Sequence, residues 1–111
     1  MKKTLAWVAT AVFMGTILMW SPKAQCALEA GRSLYIDKCA LCHGAGGDGK
    51  GPAGDALSPK PTDFTSSQYW QTPNNQRITA ATLNGVGAMP AFDLDAQEMK
   101  GLIDYMRTFK K

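Results

Sequence analysis

Cys39-Ala40-Leu41-Cys42-His43 places two thiols and an imidazole within five residues. Thiols three positions apart on one helical turn reach the two vinyl groups along one porphyrin edge. The adjacent imidazole then projects a nitrogen at the iron, so the C-x-x-C-H run reads as a covalent attachment site for c-type haem. His43 is the sole histidine of the chain, which leaves no second imidazole for the other face of the iron. The motif occurs once, so the expected count is one haem c, attached through Cys39 and Cys42 with His43 as proximal axial ligand. Other uses of the cysteines fit worse. A closed zinc site takes four nitrogen or sulfur ligands, and a thioredoxin-like C-x-x-C needs a βαβ setting that the pattern lacks.

Three methionines after residue 26 compete for the opposite face of the iron. Met99 and Met106 lie seven apart on the apolar stripe of a predicted last helix, where methionine ordinarily fills core space. Met89 instead sits in Gly85-Val86-Gly87-Ala88-Met89-Pro90-Ala91-Phe92, a constrained loop whose small residues let it lie close to a flat ring. Pro90 fixes the backbone behind it. Met89 is therefore the expected distal axial ligand. A His/Met pair raises the reduction potential relative to more basic axial ligands.

The elements that must position these groups read as helices, and no stretch alternates with a two-residue period long enough for a sheet. Leu28, Leu34, Tyr35 and Ile36 recur at near-helical spacing, predicting a helix from Leu28 to about Leu41 that runs into the C-x-x-C-H. Gly44 to Gly54 is a glycine-rich loop. It misses a phosphate-binding loop because Gly51 follows Lys50 where Ser or Thr is required, and no strand precedes it. Asp48 and Asp55 are too irregular for a calcium loop. Thr62-Asp63 is expected to start a short helix carrying Phe64, Tyr69 and Trp70, ended by Pro73. Asn74 or Asn75 caps a further helix through Leu83 that stops at Asn84-Gly85. Asp95 and Glu98 have capping-box spacing. Beyond them Met99, Leu102, Ile103, Met106 and Phe109 form an amphipathic stripe, with Lys110-Lys111 as a solvated end.

Met1-Lys2-Lys3, an uncharged apolar run from Leu5 to Trp20 and then Ser21-Pro22 have the order of a bacterial secretory signal. Residues 1–26 are accordingly expected to leave as a signal peptide, with cleavage after Cys26 and a periplasmic destination for residues 27–111. The alternatives are an uncleaved leader or lipidation at Cys26, either of which would tether the protein to a membrane. Lys2, Lys3 and Lys23 leave with the leader, so nine basic residues face nine acidic ones and the precursor's net charge of +3 falls to zero. A neutral surface disfavours nucleic acid as a partner. The remaining 85 or so residues make one domain with a small core, for which a buried haem would supply the apolar centre.

Taken together, the Gly31/Tyr35 helix, the C-x-x-C-H, Gly51-Pro52-Ala53, Gly-Ala-Met-Pro at 87–90 and the Leu102–Tyr105–Met106 helix resemble the small class I monohaem c-type cytochromes of bacteria. The resemblance covers nearly all of residues 27–111. It implies an all-α fold of about four helices around one covalently bound haem. The first and last helices would cross, Gly31 and Tyr35 meeting Leu102 and Tyr105. The Gly51-Pro52-Ala53 loop would pass the proximal side, with a backbone carbonyl near Pro52 accepting the His43 Nδ1 proton. One departure is that Tyr69-Trp70 only loosely matches the aromatics that contact propionates in relatives, and ordinary core packing is the expected role of each. Two protein ligands leave the iron no vacant site, so the expected function is electron transfer rather than catalysis. Donor and acceptor redox proteins would dock transiently at the haem edge, near Ala88, Pro90 and Ala91. The alternatives are a tethered subunit of an oxidoreductase complex and a haem peroxidase with a displaceable Met89. The peroxidase would lack a distal histidine to handle protons.

Overall fold

Proline at the first position of a helix gives up no hydrogen bond and starts with its φ already set. Ser21-Pro22 therefore opens a helix here, α1 (Pro22–Lys38), with Ser21 as its N-cap. The computed structural model describes residues 21–111, and the expected apolar leader core, Leu5 to Trp20, lies outside them. α1 starts six residues earlier than the apolar periodicity predicts, because residues 21–26 are exposed and carry no stripe. It also stops short of the prediction. Cys39 leaves helical geometry at φ −117° and ψ −35°, and a four-residue helix, α2 (Ala40–His43), follows.

The expected helix after Thr62 does not form. The Asp63 carboxylate accepts hydrogen bonds from the Thr65 amide (2.8 Å) and hydroxyl (2.7 Å), a local turn that competes with helix. The Phe64 amide donates to the Gly47 carbonyl at 2.7 Å. Only a 3₁₀ turn at Tyr69–Gln71 remains, beside another at Gly54–Ala56. α3 (Asn75–Asn84) begins and ends where the capping and Asn-Gly signals place it. Gly85 at φ +73° stops it, a conformation that residues with a Cβ rarely adopt. Asn74 is its N-cap by position but not by side chain, since the amide turns away to donate to the Tyr69 carbonyl.

α4 (Ala96–Arg107) carries the predicted capping box in full. Asp95 Oδ1 accepts from the Gln97 and Glu98 amides, both at 2.8 Å, and Glu98 accepts from the Asp95 amide at 2.9 Å. Met99, Leu102, Ile103 and Met106 are all buried, so the two helical methionines are core residues as expected. Phe109 lies beyond the helix end and is partly buried, and Lys110 and Lys111 are exposed.

α1 and α4 cross in contact. A Cβ built on Gly31 would run into the Gly101 carbonyl, and one on Gly101 would lie 2.9 Å from the Ala27 carbonyl. Two glycines thus let the backbones touch. Beside the crossing Tyr35 stacks at a tilt on Tyr105 (centroids 5.7 Å apart) and on Phe109 (4.9 Å). Such aromatic pairs contribute about 0.5–1.5 kcal/mol each beyond the area they bury. Among the described residues there are four α-helices and no strand, only an isolated bridge between Val86 and Met89. The fold is the expected all-α one. None of the described helices is long and apolar enough to cross a membrane.

Candidate functional site

α2 ends on carbonyls that the following loop must satisfy, because the last turn of any helix has no internal donors left for them. The Gly49 amide reaches the His43 carbonyl (2.8 Å), Gly51 that of Cys42 (3.1 Å) and Ala53 that of Leu41 (3.0 Å). Approach is so close that a Cβ on Gly51 would enter the Ala40 and Leu41 carbonyls. The glycine-rich loop is therefore a tight cradle against α2. Tyr35, fully buried on α1, fixes the end of α2 by donating its hydroxyl to the Gly44 carbonyl at 2.8 Å.

His43 is half-buried and held at two points. Its Nδ1 lies 3.2 Å from the Thr62 carbonyl, and its ring stacks on Phe64 with centroids 4.8 Å apart and planes 22° from parallel. The acceptor is thus Thr62 rather than a carbonyl near Pro52. The chain at 51–54 is taken up in bonding the backbone of α2, and it is the later Pro61–Phe64 segment that runs beside the ring. Desolvation by burial lowers the imidazole pKa below its ordinary value, and the Thr62 hydrogen bond partly offsets this. A neutral ring donating from Nδ1 keeps its Nε2 lone pair free, the form that binds a metal.

Cys39 and Cys42 are half-buried free thiols. Burial pushes the Cys39 thiol up to about 11, with Lys38 opposing and Cys42 adding. Cys26 is free and exposed on the first turns of α1. Met89 is half-buried at the end of a small closed loop, where its amide and carbonyl exchange hydrogen bonds with Val86 at 2.9 and 3.0 Å. The Phe92 amide anchors the far end of this segment to the Thr82 carbonyl at 2.8 Å. Trp70 donates its indole N–H to the Phe64 carbonyl at 2.7 Å, so its polar end is committed to the core rather than to a propionate. A groove of about 490 Å³ between α3 and α4, floored by Leu94, Met99 and Ile103, is lined by none of the four predicted site residues.

The donor set fits a covalently attached haem. Two thiols flank one turn, both unpaired, and the next residue is a neutral imidazole already oriented by a carbonyl. Among the described residues no three His, Cys, Asp or Glu side chains gather where a bare metal ion could be held. Residues 27–106 match the family model described as cytochrome c oxidase, cbb3-type, subunit III. The chain belongs to that family. It is also 30% identical over 81 residues to cytochrome c6 of Bryopsis maxima, which spans 71% of this chain and 88% of that protein. Among solved structures it is similar to a chain of the reducing HAO-like protein complex of Kuenenia stuttgartiensis. That likeness has a TM-score of 0.62 and 26% identity over 74% of this chain, which spans only 42% of the longer one. The resemblance to small c-type cytochromes is thereby established, and with it an electron-transfer haem protein.

Several parts of this c-type cytochrome were not foreseen. Gly101 is the counterpart that lets Gly31 approach, and a glycine in mid-helix between Met99 and Leu102 was the available signal. Thr62 and Phe64 engage His43 from nineteen and twenty-one residues away, and no local spacing marks such contacts.

Proposed function

We propose that this protein is an exported carrier of single electrons, holding one haem c through Cys39 and Cys42 with His43 and Met89 as axial ligands. The observation that carries the reading is the seat of His43: a one-turn helix that presents two free thiols and an imidazole tied by Nδ1 to the Thr62 carbonyl. When bound, the haem supplies a reversible one-electron couple. The chain's own residues do the rest. The cradle at 49–54 keeps His43 in place, Pro90 and the Val86–Met89 pair hold the methionine loop, and both ligands staying put limits reorganisation. Leu41 between the cysteines and Val86 beside Met89 are 62% and 63% exposed, giving apolar contacts next to both ligand segments. Small apolar contacts of this kind suit brief docking with redox proteins.

Export to the periplasm rests on the leader pattern of residues 1–26. It is supported by the exposure of residues 21–26, whose removal takes nothing from the core. A second reading has a specific observation behind it. The matching family is named for a subunit of an oxidase, and the structural relative is a chain of a protein complex. The same domain would then serve as a fixed relay in an oxidoreductase, tethered by the leader or by a lipid on Cys26. No distal histidine supports a peroxidase.

The test is a pyridine haemochrome assay on protein exported from a host with haem-attachment machinery, followed by the ferric absorption spectrum. One covalent haem per chain and a weak far-red iron–sulfur band at neutral pH are expected. Colourless protein ends the reading, and a high-spin ferric spectrum removes Met89 from it. Mass spectrometry of the mature N-terminus separates the free carrier from the tethered subunit.

A further inference from the structure

An imidazole anchored at one edge can still rock about that anchor. The Nδ1 contact to Thr62 is 3.2 Å, at the long end of the range for such bonds, so by itself it leaves the tilt of the His43 ring weakly defined. The face of the ring is a different matter. Phe64 lies nearly flat against it, and Phe64 is itself tied down on several sides. It is 7% exposed, its amide is bonded to the Gly47 carbonyl and its carbonyl accepts the Trp70 indole N–H, both at 2.7 Å. Tyr69 packs edge-on against the Phe64 ring, with centroids 5.4 Å apart. Trp70 is fixed in turn by the Arg107 guanidinium, 5.3 Å from its ring centroid, and Arg107 donates to Asn75 Oδ1 at 2.6 Å. A chain of contacts from α3 and α4 thus ends on one face of the histidine.

We propose that Phe64 is a positioning residue for the proximal ligand: its ring sets the plane of the His43 imidazole, and Trp70 holds Phe64 against it. The plane of an axial imidazole determines its π overlap with the iron, and a well-aligned Nδ1–H···O=C bond raises the ring's basicity. Phe64 therefore acts on the reduction potential through His43 without touching the iron. This rests on His43 being the axial ligand, as proposed above.

The experiment compares holo wild type with Phe64→Leu, Phe64→Tyr and Trp70→Phe. Leucine keeps an apolar filler but has no flat face, tyrosine keeps the stack, and Trp70→Phe removes the indole clamp while leaving Phe64 present. For Phe64→Leu, covalent haem stays at one per chain. Its ferric low-spin EPR envelope broadens with a shifted largest g value, and its reduction potential moves upward as the Nδ1 bond loosens. Phe64→Tyr restores both to wild-type values, and Trp70→Phe shows a smaller change of the same sign. If Phe64→Leu does not fold, Trp70→Phe decides. An EPR envelope and a potential unchanged in the variants, or a potential displaced downward, overturns the proposal. Wild-type protein without covalent haem, or with EPR of a non-histidine ligand, would sink the ligand assignment itself and is read before any variant.

Discussion

The two sides of the site are built differently. On the histidine side, residues 39–64 fold back on themselves so that the carbonyls of Leu41, Cys42 and His43 all receive loop amides. Glycine packing there leaves no room for a methyl group at position 51. On the methionine side, residues 85–92 are held by one reciprocal pair of hydrogen bonds and two anchors to α3, from the Gly85 and Phe92 amides. A Cβ on Gly87 would meet nothing within 4 Å. The histidine side is thus a seat made of backbone hydrogen bonds and the methionine side a strap with fewer of them; crowding is mixed on both, since Gly46 has open space around it and Gly85 lies against the Met89 carbonyl. On the ligation proposed above, the fold would depend on the covalent half of the site, and Met89 would sit on the more sparsely bonded half.

The sharpest test removes the covalent half. Cys39→Ser with Cys42→Ser should leave a largely unfolded chain, because a core this small depends on its anchored prosthetic group. A cooperative melt by circular dichroism in that haem-free double variant would break the contrast. Next comes a matched pair of glycine substitutions. Gly51→Ala should destabilise by about 3 kcal/mol through overpacking against α2. Gly87→Ala should cost only about 1 kcal/mol, the penalty of a side chain at its φ of +55°. Urea unfolding of both should return that order, and the reverse order would show the strap to be the more rigid side. Met89→Ala should affect the fold less again. Covalent haem is expected to remain, while the reduction potential falls, the far-red iron–sulfur band disappears and the iron accepts added ligands. Voltammetry and a cyanide titration check this, and an unchanged potential assigns the axial role elsewhere.

A more local effect concerns the hydroxyl that ties α1 to Gly44. Tyr35→Phe leaves a carbonyl unpaired and should cost about 1 kcal/mol. Burial, the main cause, raises the phenol above its ordinary 10.0, with Cys39, Tyr105 and Asp48 adding to it. A folded-state pKa above the unfolded one means that this contribution is fully present below pH 10.0 and is lost as the pH rises beyond it. Stability curves measured from pH 9 to about 12 should therefore fall less steeply in the phenylalanine variant. Parallel curves would show that Tyr35 plays no part in the alkaline limit.

Where structure is local, the residues announce it. Asp95 and Glu98 specify the start of α4, Asn84-Gly85 the end of α3, and the i, i+3, i+4 stripe of Met99, Leu102, Ile103 and Met106 its buried face. The C-x-x-C-H is legible for the same reason, since its chemistry lies within a single turn. What escaped reading depends on segments far apart in sequence. Helical propensity after Thr62 lost to an Asp63 turn and to a Phe64 amide drawn away by Gly47. The acceptor for His43 moved from Pro52 to Thr62, because which strand of a folded-back loop faces the ring is settled by packing and not by spacing. Gly101 matters only once Gly31 is known to lie on it.

That last contact joins the beginning of the domain to its end. Until the segment holding residue 101 has been synthesised, α1 lacks the surface on which Gly31 settles, so the chain cannot complete this crossing from its leading end. Closure at the Gly31–Gly101 seam thus waits on the last helix.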